Sequence, residues 1–133
     1  MNITNFFTKG LSKTLKLLNG TNFSYAGPWV TVGSNPTVID SWYVGDFMSA
    51  DYTIAVDQST GYKEIIKCLI VASPTNAALT VYGRTDLQGS LITLTATVTK
   101  SRVFLTATPV SGNSKLIFSV NYYQTLNPLQ PNQ

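Results

Sequence analysis

The chain has 133 residues, nine Lys or Arg against six Asp or Glu, a formal net charge of +3 and no histidine. That length suits one domain able to bury roughly two thirds of the surface its unfolded chain exposes, and without histidine a single chain holds neither a Ser-His or Cys-His nucleophile pair nor an imidazole metal site. Only 11% of the residues are charged while 18 are threonine, a surface that fits a β protein packed in an assembly and equally a free β domain.

Residues 1–20 differ in kind from the rest. They contain Lys9, Lys13 and Lys16 and no acid, and the six basic and six acidic residues beyond them cancel. Phe7, Leu11, Leu15 and Leu18 recur at steps of four, four and three, the spacing of one helix face, and Asn19-Gly20 supplies a stop. Gly10 costs a helix about 1 kcal/mol relative to Ala, so the pattern predicts a short helix over roughly residues 11–18, with an extended arm as the alternative. Phe6, Phe7, Leu11 and Leu15 with Lys9, Lys13 and Lys16 are then candidates for docking onto a partner; a helix covering an open end of the chain's own body is the competing reading. Three lysines leave too small a footprint for nucleic acid or for a membrane-surface helix. Neither a basic leader running into an apolar core nor eighteen consecutive apolar residues occurs, which predicts a chain made in the cytoplasm, with no membrane partner.

From Thr21 to Gly45 the chain is aromatic and punctuated by Gly27-Pro28 and Gly33-Ser34-Asn35-Pro36, which predicts two short strands around a turn. Trp29, Trp42 and Tyr43, where exposed, would make a sugar-stacking platform, because an aromatic face offers apolar area at little entropic cost. The plainer reading has them filling a core or a subunit interface.

Alternating runs follow. Tyr52, Ile54 and Val56; Ile92, Leu94, Ala96 and Val98; Val103, Leu105 and Ala107; and Leu116, Phe118 and Val120 each occupy every second position, the period of a half-buried strand. The run Glu64 to Ala72 is more continuously apolar, so periodicity alone does not separate a fully buried strand from a helical turn; its β-branched residues and the Ser73-Pro74 stop favour a central strand, with Cys68 as a small hydrophobe inside it. Ser59-Thr60-Gly61, Pro74-Thr75-Asn76, Asp86 to Gly89, Lys100-Ser101 and Ser111 to Ser114 are turn compositions. Arg84 reads as a solvated edge residue or a local loop clamp, with an interface salt bridge or a phosphate contact as the alternative. Residues 125–133 are uncharged with prolines at 128 and 131, an extended tail. The six acids are scattered, forming no Ca²⁺ loop, and no phosphate-cradling glycine loop occurs; no enzymatic role, metal or cofactor is expected. The organisation expected is all-β: a single antiparallel β-sandwich, jelly-roll-like, over residues 21–124, between a short N-terminal helix or arm over 1–20 and the tail over 125–133.

Ser49 to Asp57, Lys63-Glu64 before an apolar strand, Val81-Tyr82-Gly83-Arg84-Thr85, Leu91 to Ala96, Val103 to Pro109 and the closing Phe118 to Tyr123 together resemble small virion structural proteins of tailed bacteriophages. They are similar in particular to those of contractile-tailed phages of marine bacteria and cyanobacteria, over about residues 49–128. The resemblance implies a non-enzymatic β-sandwich subunit of the virion, assembled in the host cytoplasm. It also implies association with itself and with other phage virion proteins of the head capsid, neck, tail or baseplate. The alternative is a carbohydrate-binding module, free or at a fibre tip, with a host glycan as partner.

Overall fold

Turn residues and alternation divide the chain into nine strands: β1 (Phe23–Ala26), β2 (Val30–Val32), β3 (Thr37–Tyr43), β4 (Phe47–Ser59), β5 (Tyr62–Ala72), β6 (Ala77–Asp86), β7 (Ile92–Thr99), β8 (Arg102–Pro109) and β9 (Ser114–Gln124). The computed structural model describes residues 23–126. The docking segment with Phe6, Phe7, Lys9, Leu11, Lys13, Leu15 and Lys16, and the tail beyond residue 126, fall outside the described residues.

The described residues are all-β, and every strand pairing is antiparallel. Six strands form one sheet in the order β1-β9-β4-β5-β6, with β2 also on β9; the other sheet has the order β3-β8-β7. The jelly-roll likeness does not extend to this order, since a jelly roll is built from eight strands in two Greek keys, whereas β4, β5 and β6 form a plain meander. The core lies between the two sheets. Tyr52, Ile54 and Val56 from β4, Leu116, Phe118 and Val120 from β9 and Val103, Leu105 and Ala107 from β8 are all buried there, as their alternation predicts.

Three segments depart from the sequence reading. On β5 the side chains alternate: Glu64, Ile66, Cys68 and Ile70 are buried, while Ile65, Leu69 and Val71 are 46%, 46% and 56% exposed. The strand is therefore covered on one face only, and its continuous apolar character is split between core and outside. The stretch before Gly45 holds three strands, and the two flanking the Gly33 to Pro36 turn do not pair with each other: β2 joins β9 and β3 joins β8. In β3 a bulge between Val38 and Asp40 changes the phase of alternation, so Ile39 and Asp40 are both buried although they are neighbours.

The β7–β8 turn is a two-residue connection in which Lys100 has φ 52° and Ser101 φ 63°. A two-residue hairpin of this left-handed type is ordinarily Asn-Gly, because a Cβ in that region costs about 1 kcal/mol or more. Replacing the pair by Asn-Gly (Lys100→Asn with Ser101→Gly) is expected to stabilise the domain by about 1 kcal/mol, read as a higher urea midpoint. An unchanged or lower midpoint would show that the left-handed turn carries no removable strain.

The connections sort into two poles. The chain enters β1 beside Tyr122, and after β9 Thr125 is held on the β3–β4 turn by N–H donation to Asp46 O and hydroxyl donation to Val44 O. The Lys100-Ser101 turn sits at this same pole, with Val44 N–H donating to Ser101 O. At the far end of β4 lie the β2–β3, β4–β5, β6–β7 and β8–β9 connections. The 13 residues of β4 run from one pole to the other, about 40 Å.

Candidate functional site

Trp29, Trp42 and Tyr43 do not form a common platform. Trp42 is 1% exposed; its Nε1–H donates to Tyr52 Oη at 3.0 Å, so the ring is a core side chain with no face for a sugar. Tyr43 is half exposed, but its ring lies on the β3–β4 turn, where a Cβ on Gly45 would come within 2.2 Å of it. That close approach is why glycine stands there. Trp29, 57% exposed, is at the opposite pole.

Two surfaces remain as candidates. The first is the outer face of the six-stranded sheet. Cross-strand register places Tyr123, Ser49, Val71 and Ala78 in one row, Asn121, Asp51, Leu69 and Thr80 in the next, Ser119, Thr53, Lys67 and Gly83 in the third, and Ile117, Ala55, Ile65 and Thr85 in the fourth, so the polar third row separates Ile65 from Leu69 and Val71. Leu69, Val71 and Tyr123 border a shallow depression of about 410 Å³. Tyr82 lies across the same face: its hydroxyl donates to Asp51 Oδ1 at 2.6 Å and Lys67 Nζ stands 5.8 Å from its ring centre. The bond to Asp51, followed by partial burial and that residue's charge, pushes the Tyr82 hydroxyl up to about 12. An antiparallel sheet facing water normally shows polar residues on its outer face; this one carries an apolar strip.

The second is a cleft at the far pole. Trp29 stands between two depressions, one of about 640 Å³ lined with Thr31, Asp57, Gln58, Asn113 and Lys115, the other of about 340 Å³ walled by Ala55, Ile65, Thr85 and Leu87. Asp57 Oδ1 accepts from Lys63 Nζ at 2.9 Å, both side chains being about half exposed, and Gln58 Nε2 donates to Ser111 O at 2.7 Å. Gly112 makes that last contact possible, having φ +68° and no room for a Cβ, which would lie 2.2 Å from Gln58 Nε2.

Arg84, Glu64, Asp86 and Asp40 are engaged in local contacts. Arg84 is a clamp: it pairs with Glu64 Oε2 and donates to Ser90 Oγ at 3.0 Å, while Glu64 Oε1 accepts the Leu91 N–H at 2.9 Å. The Glu64 side chain is fully buried, so this local pairing ties the β6–β7 crossover to the core. Asp86 Oδ1 takes the Gly89 N–H at 2.8 Å, and buried Asp40 accepts from Tyr52 and Tyr122. Among the described residues no group of three or more His, Cys, Asp or Glu could hold a metal ion, and no helix is long and apolar enough to cross a membrane.

The fold and surfaces define an antiparallel two-sheet β domain with an apolar strip on the outer face of its large sheet and a Trp-containing cleft at one pole. No family model matches the sequence, and no curated protein matches it. Among solved structures, the chain is similar to the tailspike protein of Acinetobacter phage vB_ApiP_P1, with TM-score 0.42 and 12% identity over 78% of this chain and 22% of that one. It is also similar to tailspike protein gp49 of Acinetobacter baumannii bacteriophage Fri1, a capsular polysaccharide depolymerase, with TM-score 0.39 and 10% identity over 77% of this chain and 18% of that one. The chain spans about a fifth of the length of these two tailspikes.

Proposed function

We propose that this chain is a non-enzymatic structural subunit of a bacteriophage particle, which associates with copies of itself through the outer face of its large sheet. The observation that carries this reading is the strip formed by Leu69, Val71 and Tyr123. These residues remain in water in the isolated domain, and their removal from water contributes about 25 cal/mol for each Å² of apolar area. Face-to-face packing about a two-fold axis sets the strip against its own copy and leaves the Asp57–Lys63 pair at a wet rim. The low charge density and the resemblance of residues 49–128 to virion structural proteins of contractile-tailed phages of marine bacteria and cyanobacteria favour the same reading. In it the chain lies among other virion proteins of the head, neck, tail or baseplate.

The double variant Leu69→Lys, Val71→Lys is expected to convert the wild-type oligomer to monomer in sedimentation velocity, with its circular dichroism unchanged because both sites are exposed. A wild-type chain that stays monomeric at every concentration removes the self-association. The place in the virion is tested by immunogold microscopy of purified phage particles, backed by blotting of disrupted ones. Label at a fixed position is the expected result, and absence from the blot overturns the virion role.

A further inference from the structure

We infer that the cleft at Trp29 is a saccharide-binding site. Sugar recognition needs an apolar face for the ring C–H groups and convergent hydrogen-bonding groups for the hydroxyls around it. Trp29 supplies the face, exposed over more than half of its surface and set on the short connection between Gly27, whose N–H donates to Phe118 O at 2.9 Å, and β2. Asp57, Gln58, Asn113 and Lys115 supply the hydrogen-bonding rim of the 640 Å³ depression, a size within the usual range for small-ligand sites.

The rim is partly preset. The bond from Gln58 Nε2 to Ser111 O orients that amide and leaves its Oε1 to accept, and Asp57, held by Lys63 through Oδ1, keeps Oδ2 for a hydroxyl. No hydrogen bond to another described side chain or backbone group engages the Asn113 amide or Lys115 Nζ. Both signs of charge border the two depressions, Lys115 and Lys63 against Asp57 and Asp86, so they offer no net field for a polyanion such as nucleic acid. Stacking area with mixed amide, carboxylate and ammonium groups matches a polyhydroxylated ring.

The site is tested by passing the full chain over a printed array of bacterial surface oligosaccharides and titrating the best-retained one against tryptophan fluorescence. Trp29 is the exposed one of the two tryptophans, so binding is expected to shield it from acrylamide quenching. Trp29→Ala is expected to weaken binding by about tenfold or more, and Asn113→Ala by roughly fivefold. Tyr43→Ala, at the other pole, and Leu69→Lys, on the outer strip, leave it unchanged. All four positions are exposed, so the variants fold. Retention of no oligosaccharide, or binding that survives Trp29→Ala, overturns the assignment, and either result is independent of whether the chain self-associates.

Discussion

Asp40→Ala is expected to lower the unfolding free energy by about 3–4 kcal/mol, much of the 5–15 kcal/mol that holds a domain of this size together. The Asp40 carboxylate is 3% exposed and accepts the Tyr52 hydroxyl at 2.7 Å and the Tyr122 hydroxyl at 2.5 Å; Tyr52 Oη in turn accepts from Trp42 Nε1. Removing the acceptor leaves two phenolic donors in a site without water, each costing about 1–3 kcal/mol, and opens a cavity beside them. Tyr52→Phe removes a donor and leaves Trp42 Nε1–H without its acceptor, so it is expected to cost about 1–2 kcal/mol. Tyr52→Phe combined with Asp40→Ala should cost less than the sum of the two, because the donors and their acceptor act as one unit. Urea unfolding of the three variants decides this; strict additivity would show that the groups do not form a network.

Alkaline pH should unfold the domain over a narrow range. Burial raises the Tyr52 and Tyr122 pKa values well above 10, and burial followed by the Asp51 charge pushes the Cys68 thiol up to about 12. The folded protein therefore keeps three protons that the unfolded chain releases, Cys68 above about pH 9 and the two tyrosines above about pH 10. Stability from these groups is fully present below those values and is lost as pH rises beyond them, at about 1.4 kcal/mol per pH unit for each group. By pH 11 the loss is roughly 5 kcal/mol. Urea midpoints are expected to be level to about pH 8.5 and to fall steeply above 10, and Cys68→Ala should delay the onset of the fall. In the absorbance titration near 295 nm, Tyr52 and Tyr122 should ionise only with unfolding. An equal midpoint at pH 8 and pH 11 would refute the assignment of these groups to a dry core.

Alternation alone was enough to find β4, β7, β8 and β9 and to orient their core faces, because a half-buried strand must repeat every two residues. The same rule misassigned the outer side of β5. Ile65, Leu69 and Val71 are apolar, and a run this continuously apolar reads as covered on both faces; only the packing of the second sheet against one side of β5 leaves the other open. Asp40 was illegible for a related reason, since the bulge at Val38–Asp40 shifts the phase and no residue type announces it. Trp29 and Trp42 are the same amino acid thirteen positions apart, and composition could not tell which was core. Trp42 shares its side of β3 with buried Asp40 and finds Tyr52 across the gap between sheets, whereas Trp29 precedes a three-residue strand at the pole.

What the sequence determined by itself is the all-β class, the turn positions and the absence of histidine chemistry, since these depend on local period, on residues that accept turn geometry and on composition. Tertiary structure decided the two-sheet strand order, the Glu64–Arg84 clamp, the Asp40 network and the gathering of Trp29 with Asp57, Gln58, Asn113 and Lys115. The last three bring together residues as far apart as 20 positions (Glu64 and Arg84), 82 positions (Asp40 and Tyr122) and 86 positions (Trp29 and Lys115). Their meeting is set by which strands share a sheet, and that is settled by how all the buried faces pack at once.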